Sequence, residues 1–355
     1  MNGFYNGYNG FVYETPEERQ AKIKKQRGLF SRVFLALAMY ILASRIFANG
    51  SYILAKVLLN AADYQRFIES DVVALSISCI AQYVVAFPIF LLMLIGTPKA
   101  AAKSVSKLSG TDFFLIFAIG ESLMYVGNLA GNYINELVGT MIGRQPENSI
   151  ASTITETPVW LIFICMVVLA PIVEELIFRK IIIDRLSVYG EKTAIIFSSV
   201  AFGLMHGNMY QFFYATLLGA LFGFVYVKTR NVKYTVLMHT IINFMGSVMA
   251  LPVQKAINNF YEIIEVASKG VAINILEFFV SACIIFIYSS IQYGLVIGGA
   301  IALFQFARRR KFALPNNKEV DLPDDIIRSN GINNVGAILF LIFTVGSMIL
   351  SLVLA

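Results

Sequence analysis

Apolar stretches of about 20 residues or more, the length that crosses roughly 30 Å of hydrocarbon, recur from residue 29 to the last residue of this chain. We place them at 29–58, 72–96, 113–142, 159–178, 193–206, 210–227, 234–252, 271–306 and 334–355. The fifth is short, whereas the first and eighth are long enough to tilt or to project from the bilayer. The expectation is an all-α, polytopic integral membrane protein with eight or nine transmembrane helices. Composition agrees: 57% of residues are hydrophobic and 14% charged, far from the balance of a soluble domain.

Charge sets the expected orientation. Lys and Arg gather before the first span (Arg19, Lys22, Lys24, Lys25, Arg27), after the second (Lys99, Lys103, Lys107) and after the fourth (Lys180, Arg185, Lys192). They gather again after the sixth (Lys228, Arg230, Lys233) and the eighth (Arg308, Arg309, Arg310, Lys311). The intervening loops carry mixed or acidic charge, as at Asp63, Glu69 and Asp71, or Glu262 and Glu265. Nine spans with a cytoplasmic N-terminus satisfy the positive-inside rule. The net charge of +6 is then topology and calls for no nucleic acid partner.

The first 28 residues are polar and the apolar stretch after them is too long for a signal-peptide core, so no cleavable signal peptide is expected. The opening MNGFYNGYNGFVYE reads as a disordered tail, and Thr15, Pro16 and Glu18 as the start of a short basic helix before the membrane. Cys79, Cys165 and Cys283 fall in separate spans without C-x-x-C spacing and read as reduced packing residues.

Ionisable groups in hydrocarbon cost roughly 2.5 to 3.5 kcal/mol each at a helix centre, so their presence there points to function. The chain has two histidines, and both lie in apolar segments: His206 in FGLMHGN and His239 in VLMHTIINF. A third apolar segment, APIVEELIFR, holds Glu174 and Glu175 with Arg179 one turn on. Glu175 and Arg179 are four apart with the acid first, the favourable order for an ion pair on one helix face. Glu174 is rotated about 100° from its neighbour, so one carboxylate can be held while the other stays available. Pro171 removes a helix hydrogen bond and would kink the segment, letting water near the acids.

His206 lies between Gly203 and Gly207, which permit close approach of a helix or a substrate backbone. His239 and Asn243 share a helix face, and Asn243 could orient the imidazole or join it in stabilising an oxyanion. Each element alone has a plain alternative: a structural ion pair for the acids, a packing residue for each histidine. Arg45, Glu121, Asn128, Asn132, Glu277 and Gln292 lie in other spans and read first as interhelical pairs, with Glu121 and Asn128 as further candidates for lining a cavity. The Gly219-x-x-x-Gly223 pair reads as close helix packing.

Taken in order, Glu174-Glu175-x-x-x-Arg179, Phe202-x-x-x-His206 and His239-x-x-x-Asn243 resemble the motifs of the CPBP family of intramembrane proteases. That family includes the type II CAAX prenyl endopeptidases and bacterial proteins linked to bacteriocin processing and self-immunity. The resemblance covers roughly residues 115–252. It implies a peptide-bond hydrolase with its site inside the helix bundle: Glu174 as general base, His206 as its partner in activating water, His239 and Asn243 at the oxyanion, Glu175 and Arg179 in support. Low dielectric disfavours the charged form of a carboxylate, which suits it to take a proton from water. The family's structural picture favours water activation by Glu and His without a metal; no cofactor is committed, and zinc, for which two His and a Glu are a plausible set, stays an open alternative.

The expected organisation is thus a cytoplasmic tail with a short basic helix (1–28), N-terminal transmembrane helices (29–112), a protease core (113–252) and C-terminal transmembrane helices (253–355). The expected partners are the bilayer and a membrane-associated peptide or lipidated protein, and the expected location is a bacterial cell membrane, because the tail carries no organellar signal. The rival reading is a non-catalytic membrane protein of the same fold that binds a peptide in an immunity or regulatory role. A transporter would also use intramembrane Glu and His, but should repeat its hydropathy in inverted halves, and no such repeat is visible.

Overall fold

The computed structural model describes residues 14–101, 106–143, 149–270, 274–314 and 318–353. The aromatic and Asn-rich opening expected to be disordered lies, up to residue 13, outside the described residues. Among those described every regular element is a helix. This is the economical solution in lipid, because a helix satisfies its own backbone polar groups.

Among the described residues, eight helices are long and apolar enough to cross a membrane. In chain order we label α1 (Pro16–Leu58), α2 (Ala61–Ile68), α3 (Asp71–Met93), α4 (Gly110–Ile142), α5 (Ser149–Glu156), α6 (Val159–Tyr189) and α7 (Glu191–Met205). Then follow α8 (Met209–Thr229), α9 (Val232–Gly246), α10 (Ala250–Ser268), α11 (Ile275–Arg308), α12 (Asp324–Ile332) and α13 (Val335–Val353). The eight spanning segments are α1, α3, α4, α6, α8, α9 with α10, α11 and α13. The expected fifth span is α7, 15 residues and about 22 Å long, short of a full crossing.

The N-terminal start signal holds: Glu18 N–H donates to Thr15 Oγ1 (3.2 Å) and Thr15 N–H donates to Glu18 Oε2 (2.9 Å), with Pro16 in the first turn. The separate short helix does not hold, because nothing in residues 19–32 breaks the backbone and α1 runs unbroken for 43 residues. Amid its exposed basic residues, one position, Gln26, meets a segment near the other end of the chain. Gln26, wholly buried, donates through Nε2 to the Ile327 carbonyl (3.0 Å) and accepts from Asn330 Nδ2 (3.0 Å).

α8 is the central helix. It packs against α7 on one side and α4 on the other, and both contacts rely on small residues. A Cβ on Gly219 would lie 2.9 Å from Ser199 Cα, so the Gly219/Gly223 pair does bring helices close, as expected. Two apolar cores flank this helix. One joins α1, α3, α6, α7, α12 and α13; the other joins α4, α8, α9 and α11, and Tyr214 and Phe224 pack on both. α11 packs through Gly299 onto α4 and leaves Phe286, Ile287, Ile297 and Phe304 exposed, a face suited to lipid.

One end of the bundle is basic and tightly tied. Arg32 donates to the carbonyls of Met93 (2.6 Å) and Ile95 (2.8 Å), and Arg185 to the Leu94 carbonyl (3.2 Å) and Thr97 Oγ1 (2.6 Å). Asp184 accepts from Tyr226 (2.8 Å) and pairs with Lys180 (3.0 Å) and Arg230 (3.6 Å), while Arg230 also pairs with Glu191 (2.7 Å). These contacts fix α6, α7 and α8 to one another below the cavity.

Candidate active site

The acids sit on α6, whose backbone is not uniform. Phe163–Leu169 and Leu176–Ile183 wind as π-helix on either side of an α-helical Ala170–Glu175. Pro171 accounts for the first: Ala170 N–H bonds the Cys165 carbonyl in the wide register, and the next donor in that register is missing because proline has no N–H. The carbonyl left over is that of Met166, and the side-chain amide of Asn243 donates to it at 2.8 Å. The proline thus opens a polar site between α6 and α9.

Glu174 and Glu175 diverge, as their 100° offset requires. Glu175 turns inward and is wholly buried, with Oε2 2.9 Å from Arg179 Nε and Oε1 accepting from His239 Nδ1 at 3.1 Å. The Glu175–Arg179 contact is an ion pair with poor hydrogen-bond alignment, and the other guanidinium nitrogens have no acceptor among the described residues. The guanidinium instead lies over aromatic faces, 4.6 Å from the Phe202 centroid and 5.7 Å from that of Phe222. Glu174 keeps 26% of its side chain exposed, and its Oε2 stands 3.8 Å from His239 Nε2, too far for a direct hydrogen bond.

His206 is placed by the end of α7. The helix stops at Met205, His206 is its cap, and Gly207 takes φ +66°, a conformation that glycine adopts freely. His206 Nδ1 folds back to donate to the Phe202 carbonyl at 2.9 Å, with the two rings edge to face at 5.0 Å. The close approach of α8 depends on Gly203, where a Cβ would overlap Thr216 Oγ1. Counted along straight spans, Glu174 and His206 fall at different depths. The turn at His206 and Gly207 brings both to one cavity.

That cavity has a volume of about 680 Å³ and is lined by Glu174, His206, His239 and Asn243 together with Tyr83, Asn128, Gln211, Tyr214 and Phe222, among others. Both imidazoles spend Nδ1 as a donor to the protein, one to a carboxylate and one to a backbone carbonyl. In the neutral tautomer this leaves each Nε2 with a lone pair, and for His239 that atom faces Glu174. Among the described residues no three of His, Cys, Asp and Glu are grouped to hold a metal ion. His239 gives Nδ1–H to Glu175 and turns Nε2 toward Glu174, an orientation that suits the ring as a base or as a ligand.

Of the other polar span residues, Asn128 and Gln292 line this cavity, whereas Glu121 is buried and its Oε1 has no hydrogen bond among the described residues. Glu277 pairs loosely with Asn259 (3.3 Å). Cys79 and Cys165 are free thiols on the cavity wall, and Cys283 is exposed. Sequence reasoning missed Asn208 and Gln211. Gln211 N–H donates to Asn208 Oδ1 (2.9 Å), Asn208 Nδ2 donates to the His206 carbonyl (3.0 Å), and Gln211 Nε2 donates to Tyr214 (2.8 Å). An Asn followed three residues later by Gln before an apolar run is a helix start signal, and it lay two residues beyond His206.

Comparison with known proteins agrees in location. Residues 156–245 match the family model described as type II CAAX prenyl endopeptidase, Rce1-like, a stretch that holds all three motifs. Over 188 residues, 52% of this chain and 74% of the relative, the chain is 29% identical to a protein of Bacillus subtilis (strain 168) named "Putative membrane peptidase YdiL". No solved structure gives a significant match.

Proposed function

We propose that this membrane protein, of the CPBP type by its Rce1-like core, is an intramembrane endopeptidase that hydrolyses a peptide bond of a membrane-associated peptide or lipidated protein with water activated by Glu174 and His206. The observation that carries the reading is the division of labour between adjacent carboxylates: Glu175 is consumed by Arg179 and His239, and Glu174 opens on the cavity beside an imidazole.

In this mechanism Glu174 takes a proton from water while the water oxygen bonds to the scissile carbonyl carbon. His206, held by Phe202, presents Nε2 to the same water. The tetrahedral oxyanion accepts from the second N–H of Asn243, the first being committed to Met166, and from His239 Nε2 when that ring carries a second proton, its charge then balanced by Glu175. The C–N bond then breaks and the proton held by Glu174 passes to the leaving amine. Glu175, Arg179 and the Phe202 and Phe222 rings keep His239 in place. The proposed setting is a bacterial cell membrane with the basic end, and so the N-terminus, in the cytoplasm.

The test is cleavage of a quenched fluorescent peptide panel, prenylated and not, by purified protein beside Glu174→Ala and His206→Ala, with and without chelator. Cleavage lost in both variants and kept in chelator is expected. Loss in chelator restored by zinc would move the chemistry to a metal. Function in cells that survives both substitutions would favour the peptide-binding reading.

A further inference from the structure

Arg45 lies on α1 deep in the membrane-spanning region and has no ion pair among the described residues. Among the described residues its guanidinium meets the Ser347 hydroxyl at 2.6 Å and no carboxylate. Thirteen residues separate it from Arg32 at the basic end, and eleven separate Glu174 from Arg185 at that same end. At 1.5 Å per α-helical residue Arg45 stands roughly 20 Å above it, and Glu174, with a π-helical stretch below it, at most about 16 Å, so the two lie within roughly a turn in depth. An unpaired arginine at that depth is costly, and such charges mark sites of use.

Beside Arg45 is a groove of about 330 Å³ between α1 and α3, whose walls are polar at Ser44, Tyr52, Ser78 and Gln82. Ser78 and Gln82 line the catalytic cavity as well, so the groove and the cavity share a wall. Gln82 Nε2 donates to Ser78 Oγ at 2.8 Å, which fixes that wall.

We propose that Arg45 and this groove bind a carboxylate of the peptide substrate, so that the peptide enters between α1 and α3 and continues past Gln82 to Glu174. The proposal rests on the protease reading for the direction of the peptide. The carboxylate has two sources, a free C-terminus or an acidic side chain. Arginine suits either, because its planar fork pairs with a carboxylate through two parallel N–H bonds.

The experiment uses the full protein in nanodiscs of neutral lipid and an acylated decapeptide with one internal Asp and a free C-terminus. Its twins are the C-terminal amide and the Asp→Asn peptide. Affinity is measured on Glu174→Gln, with and without Arg45→Gln or Arg45→Lys, and cleavage is measured on otherwise wild-type protein. One twin is expected to bind about tenfold more weakly than the parent, and which one it is names the source of the carboxylate. Arg45→Gln should abolish that discrimination and Arg45→Lys should restore part of it. Equal binding of all three peptides, or discrimination that survives Arg45→Gln, overturns the site. So does loss of a co-purified anionic lipid in Arg45→Gln with peptide discrimination unchanged, which would give the arginine to a headgroup. Discrimination without cleavage would leave this site standing and remove the protease reading. Cleavage without discrimination would do the reverse.

Discussion

Asn243 on α9 donates its side-chain amide to the backbone carbonyl of Met166 on α6, the carbonyl that Pro171 leaves without a partner. Removing Asn243 therefore leaves a buried acceptor unpaired and also takes away the oxyanion donor proposed above. Asn243→Ala should lower stability by about 1–3 kcal/mol. Pro171→Ala supplies an N–H to the same carbonyl, so thermal unfolding of the single and double variants should reveal coupling of about 1 kcal/mol. Simple addition of the two effects would mean that the bond carries little.

The two glutamates should respond in opposite ways. Glu174→Gln should cut cleavage by about 10²-fold or more with the unfolding temperature hardly changed, since Glu174 faces the cavity. Glu175→Gln or Arg179→Met alone strands a buried charge and should cost about 3–5 kcal/mol. The double variant should be more stable than either single one. Unfolding scans and peptide cleavage on the same four proteins decide the matter.

Neighbouring glycines on α11 make a packing test. A Cβ at Gly299 would overlap the Ala118 carbonyl, whereas at Gly298 it would meet nothing within 4 Å. Gly299→Ala should destabilise by about 1–3 kcal/mol. Gly298→Ala should be neutral or gain up to about 1 kcal/mol from helix propensity. Equal effects would show that α11 does not pack on α4 along this face.

Outside the spans, Lys318 hydrogen-bonds and pairs with Asp324 and holds its carboxyl below the usual range. A depressed folded value means that the pair stabilises fully above the ordinary aspartate value near 4 and loses its effect as pH falls through the lower folded one. Asp324 is more than half exposed, so Asp324→Asn should cost less than about 1 kcal/mol at pH 7. That difference in unfolding temperature should shrink at low pH and in high salt.

The spans could be read from the sequence because hydropathy and helix length are one constraint in a bilayer. The motif spacing, together with the angle between Glu174 and Glu175, could likewise indicate which acid is held and which is free. Helix ends were less legible. α1 runs through the expected boundary at 28, because a basic helical stretch continues into an apolar one without a breaker. α10 occupies Ala250–Ser268, most of it beyond the expected end at 252, because its acidic residues still lie in good helix-forming sequence. Pro171 announced a disturbance but not its register, and the register decides that Met166 is the carbonyl Asn243 must serve.

α1 and α13 meet at Gly336, where a Cβ would overlap the Ser31 carbonyl, and the preceding α12 covers Gln26. The partners lie some 300 residues apart in the chain. Chains leave the ribosome from the N-terminus. α1 must therefore wait for α12 and α13, made some 300 residues later, before its packing is complete, and until then the wall that carries Arg45 is unfinished. A chain that stopped short of α13 would carry every motif residue with that helix–helix seam unmade.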